Sequence, residues 1–125
     1  MDLSKLLAIG SGGFLGALGR YWLSGLAQKL SDRFPFGTLS VNLLGSFILG
    51  VLATLFLEKM IVSQELRLFI LVGLLGAFTT YSTFSFETVT LMRTGEWLFA
   101  GLNILANVVG TLIAVWVGVS IAKLW

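Results

Sequence analysis

The sequence predicts an all-α membrane protein with four transmembrane helices in a single domain. Of its 125 residues, 57% are hydrophobic and only 11% are charged. A soluble domain of this size needs a larger polar surface than these residues can supply. Four long apolar segments joined by short polar connections account for residues 1–125. We therefore expect one helical domain embedded in the lipid bilayer.

Each apolar segment is long enough to span the membrane. A helix rises about 1.5 Å per residue, so about 20 residues cross a hydrocarbon core of about 30 Å. The segments lie near residues 3–30, 37–59, 66–92 and 97–124. Gly95 lies in the last connection, where it is placed as the C-cap of the third helix.

The residue types that are missing exclude several classes of function. The chain has no Cys and no His. Disulfides, thiol catalysis, and iron–sulfur or haem ligation by those residues are therefore excluded within the chain. No nucleophile–base pair or metal-ligand cluster stands out, so we do not expect an enzyme. The net charge is only +2, and no basic run could neutralise a row of phosphates, so nucleic acid is not an expected partner.

The distribution of basic residues gives almost no preferred orientation in the membrane. Four spans place the N-terminus, the second connection and the C-terminus on one side, with Lys5, Lys59, Arg67 and Lys123. The other side holds Lys29, Arg33 and Arg93, and Arg20 brings the counts level. The positive-inside rule therefore predicts dual topology, in which copies insert both ways and pair head to tail. The alternative is that one connection dominates.

The third span changes from apolar to polar along its length. From Gly73 to Glu87 it fills with hydroxyls, glycines and aromatic rings, and it ends on a carboxylate. Gly76, Thr79 and Thr80 favour local unwinding, because hydroxyl side chains compete for backbone hydrogen bonds. A broken helix is tolerated at bilayer depth only where it is buried or lines a cavity. Freed carbonyls suit a small cation such as Na⁺, whereas hydroxyls and ring edges suit a small anion.

Polar side chains also interrupt the second and fourth spans. Asn42 shares a helix face with Thr38, four residues earlier. Alone, Asn42 is better explained as an interhelical hydrogen-bonding residue, but the two donors together suit an anion. Asn103, Asn107 and Thr111 form a stripe at four-residue spacing in the fourth span. This stripe is either a contact between helices or one wall of a polar path, and both remain open.

Two aromatic rings and two charges complete the candidate residues. Tyr81 and Phe84 are three residues apart, so their rings lie along one helix face. Ordinary packing also explains this spacing. Glu87 is the deepest carboxylate and Arg20 the deepest cation. Either group can pair, reach towards an interface or titrate.

The motifs in all four spans resemble those of the Fluc family of bacterial fluoride channels, also called CrcB proteins. The most specific segments are GTLSVNLLG at 37–45 and GAFTTYSTFSFE at 76–87, with weaker support from residues 19–21 and 107–111. The resemblance covers the whole chain. It implies an antiparallel, dual-topology homodimer with two fluoride pores in the bacterial cytoplasmic (inner) membrane.

The resemblance also assigns roles to individual residues. It implies that Asn42 and the third-span aromatics line the pores. Phe84 takes the second position of the family's phenylalanine pair, and Tyr81 stands where the first phenylalanine is usual. A structural Na⁺ at the dimer interface would be held by the backbone carbonyls of Gly76 and Thr79. The remaining fluoride-pathway positions are Thr38, Ser82, Thr83, Ser85, Thr111, Asn107, Glu87 and Arg20.

The implied function is passive export of fluoride, which gives fluoride resistance. Hydrogen fluoride crosses membranes as a neutral acid and ionises in the cytoplasm, so the trapped anion needs a protein route outward. A fluoride/proton antiporter that uses Glu87 is one alternative. A small-cation exporter is another, but it relies on a deep carboxylate in the first span, which has none after Asp2. A structural subunit whose polar residues only join helices is the third.

Overall fold

The computed structural model describes residues 2–125, and all of the regular secondary structure in that range is helical. This confirms the predicted all-helical architecture. Four long helices run along the chain, at Leu3–Gln28, Phe36–Lys59, Gln64–Arg93 and Trp97–Lys123. We refer to them as the first to fourth helices. Their ends lie within two residues of the predicted segments.

The second, third and fourth helices are each long and apolar enough to cross a membrane, so the chain is a multi-pass membrane protein. The first helix has 26 residues, which is sufficient length, but Lys5, Arg20 and Gln28 make it less apolar. It nevertheless packs against the second and third helices. The expectation that it forms a fourth span therefore depends on this packing and not on its composition.

Glycines bring the first and third helices into backbone contact. Gly12 lies against the carbonyl of Phe69, and Gly16 lies against the carbonyl of Leu74. Both of these carbonyls belong to the π-helical stretch Leu68–Leu74 of the third helix. Small residues allow such an approach where lipid provides no hydrophobic drive for helices to associate. The first helix thus supports the part of the third helix that leads into the predicted break.

The third helix is broken at Thr79 and Thr80, as the sequence predicts. Thr79 has φ −88° and ψ 158°, and Thr80 has φ −149° and ψ 118°, so both are extended. The helical segment Leu75–Phe78 ends before them, and Tyr81–Arg93 begins after them. The Thr80 hydroxyl caps the new helix by accepting the backbone N–H of Thr83 at 3.2 Å. We call Thr79 and Thr80 the break.

The connection between the third and fourth helices is a glycine-capped turn. Gly95 has φ +82°, a left-handed conformation that favours glycine. The N–H of Gly95 donates to Met92 O at 3.1 Å, and the N–H of Glu96 donates to Leu91 O at 2.8 Å. This pattern is the Schellman motif, which confirms Gly95 as the predicted C-cap. Glu96 also pairs with Arg33 at 2.7 Å, so the first and third connections lie at the same end.

Candidate ion site at the helix break

Asn42 on the second helix pairs with the backbone of the break. Its Oδ1 accepts the N–H of Thr80 at 2.8 Å, and its Nδ2 donates to the Thr80 carbonyl at 3.0 Å. An extended residue at bilayer depth would otherwise expose both of these groups without partners. The side-chain amide therefore satisfies Thr80 much as a neighbouring β-strand would. Asn42 itself is only 8% exposed.

A chain of hydrogen bonds continues from Asn42 through the fourth helix to Thr88 and Phe84 on the third helix. Asn42 Nδ2 donates to Asn107 Oδ1 at 2.9 Å, and Asn107 Nδ2 donates to both Oδ1 and the carbonyl of Asn103 at 2.9 Å. Asn103 Nδ2 then donates to Thr88 Oγ1 at 2.9 Å, and Thr88 donates to Phe84 O at 2.8 Å. Every bond in this chain runs in the same direction, so the bonds strengthen one another.

Both explanations of the fourth-span stripe hold. Asn103 is fully buried and joins the fourth helix to Thr88 on the third. Asn107 joins the fourth helix to Asn42 on the second and, with Thr111, also lines a cleft beside the break. One face of the fourth helix therefore supplies both a contact between helices and a polar wall.

The cleft beside the break has a volume of about 370 Å³. Second-, third- and fourth-helix residues meet in it, and five of the eleven predicted pathway residues are among them. Its lining is Asn42, Ser46, Thr79, Thr80, Tyr81, Phe84, Asn107, Val108, Thr111 and Leu112. The structure thus brings amide, hydroxyl and aromatic groups from distant parts of the sequence to one place.

The Tyr81 and Phe84 rings meet edge to face at the cleft. Their centroids are 5.4 Å apart and their planes are inclined by 67°. Phe84 is buried, whereas Tyr81 is 78% exposed on the single chain. Ring edges carry partial positive charge, so this arrangement can offer aromatic hydrogens to an anion.

A second cavity, of about 530 Å³, lies between the first, second and third helices. Thr38, Thr83 and Glu87 line it, together with Lys29 near the helix ends. Thr38 is buried. One Glu87 carboxylate oxygen, Oε1, is also buried and has no hydrogen-bond partner in the described part of the chain. Three predicted pathway residues thus meet in a second polar space, apart from the cleft.

The break separates two backbone carbonyls from their usual helical N–H partners. In an unbroken helix, Gly76 O would accept the N–H of Thr80, and Thr79 O would accept the N–H of Thr83. Here Asn42 Oδ1 takes the first N–H, and the Thr80 hydroxyl takes the second. Neither carbonyl therefore receives the N–H that it would accept in an unbroken helix. Backbone carbonyls are suitable ligands for a hard cation, so the two fit the predicted sodium site.

Three predicted pathway residues line neither cavity. Arg20 Nε donates to Ala77 O at 3.0 Å, which caps the helical segment before the break. Ser85 donates its hydroxyl to Tyr81 O at 3.0 Å. Ser82 is exposed on the single chain. The Arg20 bond places a cation beside the break without placing it in the cleft.

Two side chains with clear roles at the site are not among the predicted pathway residues. Thr80 both pairs with Asn42 and caps the helix after the break. A hydroxyl three residues before Thr83, at the start of a helix, is the local signal for such a cap. Thr88 ends the amide chain by accepting from Asn103. No local pattern indicates that bond, because it joins two helices.

Comparison with known proteins adds independent information. The family model described as "CrcB-like protein, Camphor Resistance (CrcB)" matches residues 7–119. A fluoride-specific ion channel, FluC, of Methylococcus capsulatus is 48% identical over 124 residues, 98% of this chain and 54% of that protein. The FluC channel of Magnetococcus marinus is 49% identical over 114 residues, 90% of this chain and 93% of the relative. That of Geobacter sulfurreducens is 43% identical over 122 residues, 97% of this chain and 98% of the relative. The chain thus spans about half of the first relative and nearly all of the other two.

Proposed function

The chain belongs to the CrcB family, and we propose that it is a fluoride-selective channel that exports cytoplasmic fluoride passively and gives fluoride resistance. The relatives compared above are fluoride-specific ion channels, and an ion channel is not an enzyme. All three come from bacteria, which supports a place in the bacterial inner membrane. Fluoride and the lipid bilayer are then the partners of the chain.

The polar lining of the cleft at the break supports this proposal most strongly. Fluoride is small and strongly hydrated, so a pore must replace the water contacts that it loses. An Asn42 N–H already points at Asn107 Oδ1, 2.9 Å away. A fluoride ion entering the cleft can take the place of that oxygen as the acceptor. The N–H then keeps a partner throughout, and Thr111 and Phe84 also line the cleft.

We also propose that two oppositely inserted copies form the functional channel. The nearly equal distribution of basic residues supports this, because it fixes no orientation. The exposure of Tyr81 supports it further, because this wall of the cleft lies at the surface of a single chain. A second copy would cover Tyr81 and complete the pore. In such an assembly the first helix also crosses the membrane, which gives each copy four spans.

A structural Na⁺ at the interface between the copies is the third part of the proposal. The carbonyls of Gly76 and Thr79 support it, because the break diverts their usual N–H donors and carbonyl oxygens at an unwound helix turn suit such an ion. The ion would supply a fixed positive charge close to the pores. That charge offsets part of the cost of placing an anion in the membrane.

Reconstituted protein should release fluoride from liposomes much faster than chloride. Chloride is larger and gains less from close donors, so we expect a ratio of about 100, which corresponds to about 2.8 kcal/mol. A fluoride electrode and a chloride electrode measure the two efflux rates in parallel, with protein-free liposomes as the control. Equal rates for both ions would contradict fluoride selectivity, whereas no efflux of either ion would favour a purely structural subunit.

The reversal potential distinguishes a channel from a fluoride/proton antiporter. A channel should reverse at the fluoride equilibrium potential, and a pH gradient should leave that potential unchanged. An antiporter that protonates Glu87 would shift its reversal potential with the pH gradient. Planar-bilayer recordings with fluoride fixed and pH varied on one side make the measurement.

The cation exporter is disfavoured, because the helix Leu3–Gln28 contains no carboxylate.

A further inference from the structure

We infer that Asn42 and Thr80 are positioning residues for the cation site, in addition to the role of Asn42 towards fluoride. The inference rests on the proposed Na⁺ site formed by the carbonyls of Gly76 and Thr79. Neither Asn42 nor the Thr80 side chain is needed as a ligand in this scheme. They act by removing the two N–H groups that would otherwise occupy those carbonyls.

The bond from Thr80 N–H to Asn42 Oδ1 has two consequences. It keeps this N–H away from Gly76 O, its partner in an unbroken helix. It also fixes the peptide group that joins Thr79 to Thr80. That group is planar and trans, so its C=O points opposite to its N–H. Holding the N–H towards the second helix therefore turns the Thr79 carbonyl away from it.

The Thr80 hydroxyl keeps the Thr79 carbonyl free of its helical partner, the N–H of Thr83. It accepts the N–H of Thr83 at 3.2 Å and lies 2.9 Å from the Thr83 hydroxyl. Without that oxygen, the N–H of Thr83 would be free to return to Thr79 O and close the helix. The cap and the amide together keep the break open.

The two ends of the Asn42 amide then serve two different ions. The oxygen holds the backbone that presents the cation ligands, whereas the N–H groups face Thr80 O and Asn107. Substitution can separate these roles. An Asp keeps an acceptor for the Thr80 N–H and loses the donors, whereas a Leu of similar size loses both.

The response of the purified protein to Na⁺ tests the inference without measuring fluoride transport. A ligand that binds only the folded state stabilises it by RT ln(1 + [L]/Kd), so the unfolding temperature rises with ligand concentration. Unfolding in detergent is followed in NaCl, with choline chloride at equal ionic strength as the reference. We expect Na⁺ to stabilise the wild-type protein and N42D. We expect N42L to need at least tenfold more Na⁺ for the same stabilisation.

Thr80 provides a test in which the side-chain charge does not change. T80V removes the cap and should lose the response to Na⁺, whereas T80S keeps a hydroxyl and should restore it. N107L is the matched control, because it removes the partner of the Asn42 N–H and leaves the Thr80 N–H bond in place. It should lower fluoride efflux but retain the response to Na⁺.

The possible outcomes separate the inference from the proposals beneath it. A wild-type protein that does not respond to Na⁺ overturns the cation site itself. A wild-type response that N42L and T80V both retain overturns the inference and leaves the cation site standing. If N42L does not fold, the T80V and T80S pair decides, because both keep Asn42. Wild-type protein without fluoride efflux contradicts the channel proposal, whatever the Na⁺ result.

Discussion

Replacing Asn42 with Asp is expected to abolish fluoride efflux while the protein still folds and assembles. An ionised carboxylate accepts hydrogen bonds and donates none, so the cleft loses the donors that would replace water around fluoride. The new charge also repels the anion. At a separation of about 4 Å and an effective dielectric constant of about 20, like charges repel by about 4 kcal/mol. A barrier raised by that amount slows permeation roughly 1,000-fold.

The fold should survive this change with reduced stability, because residue 42 keeps its bond to the Thr80 N–H although the Thr80 carbonyl loses its donor. The carboxylate still accepts the N–H of Thr80 in place of Asn42 Oδ1. Asn107 can donate to the carboxylate if it reverses its side-chain amide, which gives up its two bonds to Asn103. Size-exclusion chromatography of N42D should therefore match that of the wild-type protein.

Efflux from liposomes with equal amounts of reconstituted protein provides the measurement. T90V is a suitable control, since Thr90 is exposed and its hydroxyl donates only to Phe86 O, one turn earlier on the same helix. It should conduct like the wild-type protein. Unchanged efflux in N42D would remove Asn42 from the fluoride pathway.

Features of this chain that depend on neighbouring residues could be predicted from the sequence. The helix ends follow from apolar length, and Gly95 follows from the glycine preference of the left-handed conformation at a C-cap. The break follows from Gly76 and the two threonines at 79 and 80, whose hydroxyls compete for backbone bonds. In each case the physical cause lies within a few residues of its effect.

Features that depend on the relative rotation of helices could not be predicted. The stripe from Asn103 to Thr111 is visible in the sequence, but its division between a buried contact and a cleft wall depends on the facing helix. The bonds from Asn103 to Thr88 and from Arg20 to Ala77 join residues 15 and 57 positions apart. The relative orientation of the Tyr81 and Phe84 rings could not be predicted either. Their spacing indicates a shared helix face but not the 67° between the ring planes.

Gly16→Ala is expected to destabilise the fold by about 3 kcal/mol, near the upper end of the usual cost of overpacking. A Cβ at Gly16 would overlap the backbone carbonyl of Leu74 on the third helix. Backbone cannot rotate aside as a flexible side chain can, so the first and third helices must separate. The segment that moves leads directly into Leu75–Phe78 and the break. Fluoride efflux should therefore fall together with stability.

Gly10→Ala on the same helix is the matched control. A Cβ at Gly10 meets no atom within 4 Å, so the added methyl group enters open space. Alanine is also favoured over glycine inside a helix by about 1 kcal/mol. G10A should therefore unfold at or above the wild-type temperature in detergent, while G16A unfolds well below it. If the two variants unfold alike, the contact between Gly16 and Leu74 is not what holds the first helix against the third. The break would then need another support, and the Arg20 bond to Ala77 is the next contact to test.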